Sequence, residues 1–251
     1  MSDLYWLTDE QMARLEPFSP GAMAPRADDR RVLSGIIFVN RNGLRWRDAP
    51  RAYGPAKTLC NRWKRWGEKG VFIAMMDGLS AKGGRTQDGY DRRDLSQSAP
   101  DGIELAGKKG DAGRLIDRTK GGMNIKLHAV TDARGRPISL FMTAGQVSDY
   151  TVPAALLDAL PKAQWLLGER SYDADWFRDA LQEKGITPCI PGRKSRNKTV
   201  KYDKRRYKSR SRIEIMFGRL KDWRRVATRY DRCPNVFLST VALAVTVMFW
   251  L

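Results

Sequence analysis

Four residues in the last quarter of the chain have types and spacings that could do chemistry. Tyr207, Arg210, Glu214 and Lys221 follow one another at intervals of three, four and seven. At about 100° per residue they fall within roughly 60° of each other on one helix face. Ile213, Met216, Phe217 and Leu220 fall on the adjacent face, so such a helix can pack by one side and hold Glu214 at the margin of the packed surface. A carboxylate placed there has two readings. It is either an i,i+4 salt-bridge partner for Arg210, or an acid among phosphate-binding cations, as a metal-dependent phosphoryl-transfer site requires. Spacing alone leaves both open.

The charge around this constellation narrows the class of partner. Arg193 to Arg232 holds seventeen Lys/Arg against four Asp/Glu, most of the formal +18 of the 251-residue chain. Tyr202, Tyr207, Trp223 and Tyr230 are interleaved with these bases, and rings among cations suit phosphate and base contact. Arg205 and Arg206 are the expected DNA contacts of this tract. An excess of this size points to a polyanion, nucleic acid first. An RNA-binding protein would explain the charge but not the ordered tyrosine, arginine, glutamate and lysine.

Other classes are disfavoured. Cys60, Cys189 and Cys233 are far apart, with no partner at metal-ligand spacing, so neither a disulfide framework nor a zinc site is expected. They read as reduced cytosolic thiols. Met1 to Leu15 shows no basic-then-apolar leader, and a cytoplasmic, nucleoid-associated protein is expected. Val236 to Leu251 is uncharged but shorter than the roughly 20 residues that span a bilayer; it reads as a buried helix, with no membrane partner.

The elements that must position these residues divide the chain in three. Residues 1–80 read as a small all-α domain of helix-turn-helix type. Thr8 with Gln11 forms a capping box, and Asp28–Asp29 opens a stripe of Val32, Leu33, Ile36, Ile37 and Val39 that stops at Asn42-Gly43. Pro55 starts a third helix that buries Leu59, Trp63 and Trp66 and turns Lys57, Asn61, Arg62, Lys64 and Arg65 outward as DNA contacts. Residues 81–110 read as an irregular linker, rich in Gly, Asp, Ser and Arg. Residues 111–251 read as α/β: a hairpin of 124–132 and 137–145, a helix 153–160, a strand 164–170, a helix 176–184 and a short strand in ITPCIPG, together a mixed sheet with flanking helices. His128, the single histidine, reads as a packed or surface strand residue.

The Tyr-x2-Arg-x3-Glu-x6-Lys pattern resembles the signature of DDE transposases of bacterial insertion sequences, particularly the insertion-sequence-five group. The segments LTDEQMARLEP, VLSGIIFVNRNGLRWRDAPRAYGPAKTLCNRWKRW, RTKGGMNIKLHAVTDARGRPISLFMTAGQVSDY and WLLGERSYDADWFRDALQEKGITPCIPGRKSR extend the likeness over nearly the whole chain except about 82–108. The resemblance implies a helical DNA-binding domain followed by a ribonuclease-H-like domain. It implies two aspartates and a glutamate holding two Mg²⁺ ions, double-stranded DNA (terminal repeats and target) as partner, and a homodimer in the synaptic complex. The first acid belongs on the first strand, the second at the end of the fourth, and the third on a late helix. Glu214 matches the third and Glu169 the second, so both are expected metal ligands. Arg210 and Lys221 would contact phosphate, and Tyr207 would position Glu214 or the DNA end.

Two departures bear on activity. The family's Asp-Arg-Gly-Tyr-Asp is here Glu169-Arg170-Ser171-Tyr172-Asp173, and one added methylene moves a carboxylate by roughly 1 Å, enough to disturb a tight site. The interval where an apolar strand should end in Ile-Asp-Ala-Thr reads TQDGYDRRDLSQSAPDGIELAGKKGD, leaving Asp91 and Asp94 as the nearest substitutes for the first acid. Tyr90 to Ser98 can be encoded by bases whose second-letter frame reads Met-Ile-Asp-Ala-Thr-Tyr-Leu-Lys, which suggests translation out of the ancestral frame. The expectation is an impaired transposase; the alternative is a non-catalytic DNA-binding relic or repressor.

Overall fold

The computed structural model describes residues 3–18, 28–83, 94–98, 103–105, 117–119, 122–144, 157, 160–197, 199–231 and 233–251. They fall into two compact units, Met1–Gly83 with Gly218–Leu251, and Gly84–Phe217.

The helical unit starts as its caps require. At the start of α1 (Asp9–Leu15), Thr8 Oγ1 accepts from the Gln11 N–H at 3.2 Å and Gln11 Oε1 accepts from the Thr8 N–H at 3.0 Å, satisfying donors that a helix start leaves open. Asp28 accepts from the N–H groups of Arg30 and Arg31 to cap α2 (Asp29–Asn42). Gly43 ends it at φ 65°, where a side chain would be strained. The expected stripe of α2 is buried throughout. α3 (Ala56–Glu68) buries Leu59, Trp63 and Trp66, and α4 (Val71–Gly83) follows a turn at Lys69-Gly70.

The link between α2 and α3 is longer than the turn of a helix-turn-helix motif. That motif joins its helices by a turn of about three or four residues, whereas Gly43–Pro55 contains two 3-10 turns, Trp46–Asp48 and Arg51–Tyr53. The loop is anchored at Tyr53, which is 1% exposed. Its ring lies 5.1 Å from Trp6 and 5.4 Å from Phe38, and its hydroxyl donates to the Tyr5 carbonyl at 2.8 Å.

The second unit is a mixed α/β assembly. Its strands are β1 (Asp94–Ser98), β2 (Ile103–Leu105), β3 (Asp117–Thr119), β4 (Gly122–Thr131), β5 (Pro137–Ala144), β6 (Trp165–Gly168) and β7 (Thr187–Cys189). β4 and β5 form the expected hairpin, turned at Gly135 (φ 81°) with the Asp132 carboxylate accepting from the N–H groups of Arg134 and Arg136. Ala129 of β4 lies opposite both Leu140 of β5 and Ser98 of β1, so those strands occupy its two edges. The main path is therefore β5-β4-β1-β6-β7, antiparallel up to β1 and parallel from β1 to β7. β2 continues along β4 beyond β1, and β3 pairs with β4 as well.

The irregular linker expected over 81–110 is thus corrected where residues are described, since β1 sits at the centre of the sheet and β2 lies within the same interval. Composition weighs side chains, but a strand between two neighbours is held by backbone hydrogen bonds on both edges whatever its side chains. Asp91 and most of the expected 153–160 helix lie outside the described residues.

α5 (Asp175–Glu183) packs Phe177 and Leu181 with Val130, Leu166, Tyr172, Ile186 and Ile190. The short α6 (Lys204–Tyr207) is capped by Asp203, and α7 (Ser211–Leu220) follows one 3-10 turn later. Beyond Gly218 the chain belongs to the helical unit, unlike the expected 111–251 division. There α8 (Arg224–Thr228) and α9 (Pro234–Val245) complete the unit. The apolar run is buried as expected. Its Ser239, Thr240 and Thr246 hydroxyls donate to the carbonyls four residues back at 2.8, 3.0 and 2.8 Å, which satisfies buried polar groups. Among the described residues no helix is long and apolar enough to cross a membrane, and none of the three cysteines forms a disulfide.

Candidate functional site

Glu169 is the first residue after β6, where the chain leaves the sheet in extended conformation before the 3-10 turn Arg170–Tyr172. Glu214 stands in the first turn of α7. A single guanidinium joins them. Arg210 Nη1 donates to Glu169 Oε1 at 2.8 Å, and Arg210 Nη2 donates to Glu214 Oε1, so the two carboxylates are within roughly 8 Å of each other. The Arg210 side chain is 17% exposed, Glu169 29% and Glu214 57%.

Tyr207 completes this cluster. Arg210 Cζ lies 5.6 Å from its ring and Tyr202 packs edge-on at 5.4 Å. Burial pushes the Tyr207 phenol above its ordinary pKa. Lys221 is exposed, just past the end of α7 and in the helical unit. Arg205 is exposed, whereas Arg206 is half-buried with its guanidinium 4.6 Å from the Trp165 ring.

The register of β1 decides where a third acid could stand. Asp94 pairs with Trp165 and Gln97 with Gly168. Asp94 is therefore four residues short of the level of Glu169, roughly 13 Å along the strand, and the level of Glu169 is reached by Ser98. Among the described residues no group of three or more His, Cys, Asp or Glu is placed to share a metal ion. The two described acids bridged by Arg210 do not by themselves fit the pair of Mg²⁺ ions that the resemblance implies.

The turn carrying Glu169 rests on a residue the sequence reasoning missed. Asp173 is fully buried, accepting from Arg178 Nε at 2.8 Å, the Arg193 N–H at 2.7 Å and Arg196 Nε at 2.7 Å. Burial would raise its pKa, but these hydrogen bonds outweigh burial and hold it below the usual carboxylate range. Arg193 also donates to the Ser171 carbonyl at 2.6 Å, tying the turn to the chain after β7. His128 supports the turn from β4. It is buried, with Nδ1 3.1 Å from the Tyr172 hydroxyl, Nε2 2.9 Å from Thr143 Oγ1, and its ring stacked on Phe141.

Comparison with known proteins now decides the family. "Transposase DDE domain" matches residues 100–249, and "Putative transposase of IS4/5 family" matches residues 7–76. The chain belongs to the DDE transposase family. The "Putative transposase for insertion sequence element IS6501" of Brucella ovis is 35% identical over 130 residues, 51% of this chain and 99% of that protein. The "Putative transposase for insertion sequence element IS402" of Burkholderia cepacia is 29% identical over 145 residues, 53% of this chain and 65% of its relative. A crystal structure of the Mos1 strand transfer complex aligns with 90% of this chain and 77% of its own at 12% identity and a TM-score of 0.29, a value too low to bear on the fold, which rests on the strand order.

In this transposase the basic helix α3 divides its polar side chains by exposure. Lys57, Asn61, Lys64 and Arg65 are exposed. Arg62 is not free for DNA: its side chain is 12% exposed, ion-paired with Asp29 at 3.1 Å and 5.4 Å from the Trp66 ring. Helical periodicity placed Arg62 outside the apolar stripe without showing that α2 presents an acid to it.

Proposed function

We propose that this insertion-sequence transposase binds duplex DNA, the terminal repeats of its element and target DNA, through the exposed face of α3 and the basic tract, and that its cutting centre lacks one carboxylate. The observation that carries this reading is the β1–β6 register, which brings Gln97 and Ser98 rather than an acid to the end of β6 where Glu169 stands. Arg210 already offsets part of the charge of the two glutamates that remain. The strand order, antiparallel then parallel with the second acid at the end of β6, supports a ribonuclease-H-like domain.

Intact centres of this chemistry use divalent ions to polarise the scissile phosphate and stabilise the leaving oxygen. In this chain Lys57, Lys64 and Arg65 hold phosphate, Asn61 reaches base edges, and the Asp173 cluster keeps the Glu169 turn in place. Synapsis of two element ends calls for a homodimer. A DNA-binding relic or repressor is the second reading, and the same register favours it.

Gel shifts and cleavage assays test the proposal. The chain should bind duplex DNA yet leave terminal repeats uncut with Mg²⁺ or Mn²⁺. Lys64→Gln with Arg65→Gln should weaken binding, while Arg62→Met should leave affinity unchanged. Ser98→Asp with Glu169→Asp should restore cleavage, and Glu214→Gln in that protein should abolish it. Efficient strand transfer by the unaltered chain would refute the missing-acid reading.

A further inference from the structure

The connection Gly43–Pro55 carries arginines that belong to neither the acidic pair, the α3 face nor the basic tract, and it meets the Arg224–Tyr230 end of that tract. Within the helical unit the two stretches lie together. A Cβ at Gly43 would come within 2.8 Å of Arg224 Cβ. The Arg225 guanidinium lies 5.0 Å from the Trp46 ring and 4.5 Å from the Tyr230 ring. Arg225 is 1% exposed, and its Nε donates at 3.0 Å to Asp231, which also accepts from Thr240. A guanidinium between two rings is held by cation–π attraction on each, so it fixes the Trp46–Asp48 turn against α8.

Outside this support the surface is cationic. Arg41, Arg45, Arg47 and Arg224 are exposed, and Tyr230 is 51% exposed beside them. The acids in and beside these stretches are Asp48, 2.6 Å from Arg45 and 3.9 Å from Arg47, Asp222 just before α8, and the partly buried Asp231. Planar guanidinium forks match phosphate oxygens in pairs. A protein partner would need an apolar centre, and the exposed residues named here offer one half-exposed ring.

We propose that the face formed by Arg45, Arg47 and Arg224 is a second duplex-DNA surface that grips the phosphate backbone without reading bases. It rests on the reading of the chain as a DNA-binding transposase and adds a site remote in sequence from α3. Asp48 tempers the grip by competing with phosphate for Arg45.

Fluorescence anisotropy of the full chain on an element-end duplex and on a scrambled duplex, between about 50 and 200 mM salt, tests it. Replacing Arg45, Arg47 and Arg224 together by Gln should lower the slope of log affinity against log salt by about 2 to 3, about 0.9 for each phosphate no longer neutralised, equally on both duplexes. The corresponding triple Lys variant should keep most of the slope. Asp48→Asn should raise affinity about two- to fivefold, the range of an exposed charge interaction. An unchanged slope in the Gln variant and unchanged affinity in Asp48→Asn, with the unaltered chain binding normally, would overturn the proposal. Failure of the unaltered chain to bind either duplex would instead overturn the DNA-binding reading. Loss of an acidic protein partner with DNA binding intact would assign the face to protein and so also overturn it.

Discussion

Replacing Asp173 should unfold the sheet domain more readily than any surface change, and the structure sets the size of the effect. The carboxylate is fully buried; Arg178, itself 10% exposed at the side chain, approaches one oxygen, and the Arg193 N–H and Arg196 approach the other. Removing one partner of a buried pair leaves an uncompensated charge and is worth about 3 to 5 kcal/mol. Asparagine offers little rescue, because one oxygen becomes an NH₂ group facing donors whichever way the amide is turned. Asp173→Asn and Asp173→Ala should therefore lose similar amounts, measured from urea unfolding midpoints at unchanged m. At roughly 2 to 4 °C per kcal/mol, melting should fall by about 10 °C. Arg178→Met alone should be costly, but the double variant should lose less than the sum, since the second change removes the charge that the first left unpaired. A loss below about 1 kcal/mol for Asp173→Asn, or strict additivity in the cycle, would show that the pair contributes little and that the reasoning is wrong.

The same carboxylate sets an acid limit. Its folded pKa is held below the unfolded value of about 3.9, so its contribution is complete above that value and is lost as pH falls through the lower folded pKa. Unfolding midpoints measured from pH 6 down to about 2 should fall less steeply in Asp173→Asn than in the unaltered chain. In the helical unit, Gly35→Ala sets two effects against each other: helix propensity would gain about 1 kcal/mol. The new Cβ, however, would lie 2.6 Å from Tyr53 Cβ and 2.9 Å from its Cγ, in a ring held on both sides. Overpacking should win with a net loss of about 1 to 2 kcal/mol, seen as a lower melting temperature.

Local chemistry made much of the helical unit legible. Thr8 with Gln11, Asp28 and Gly43 each announce a helix end through a bond or a backbone conformation they alone supply, and the α2 stripe follows from period. The β4–β5 hairpin was legible for the same reason, since alternating apolar residues flank a turn at Gly135. What was not legible depends on partners distant in the chain. β1 has no apolar run of its own and is a strand through its neighbours' backbones. Arg62 reads as an outward cation until Asp29 is seen across from it. The run at 236–251 declares that it is buried but not what buries it, which is why its place beside α2, α3 and α4 could not be foreseen.

The candidate site shows the same division. The three- and four-residue intervals of Tyr207, Arg210 and Glu214 put an arginine beside an acid on one helical face, but the second partner of Arg210 stands 41 residues earlier in the chain. That contact changes the meaning of the motif. Two glutamates and one guanidinium sum to a single negative charge, so Arg210 removes half of the attraction that a divalent ion would find there. A third carboxylate would double the net charge and with it the electrostatic demand for cations, at the level of β1 where the register brings Ser98. On the proposed function, cleavage would therefore turn on β1, where the register brings Ser98, rather than on the tyrosine, arginine, glutamate and lysine by which the family resemblance is read.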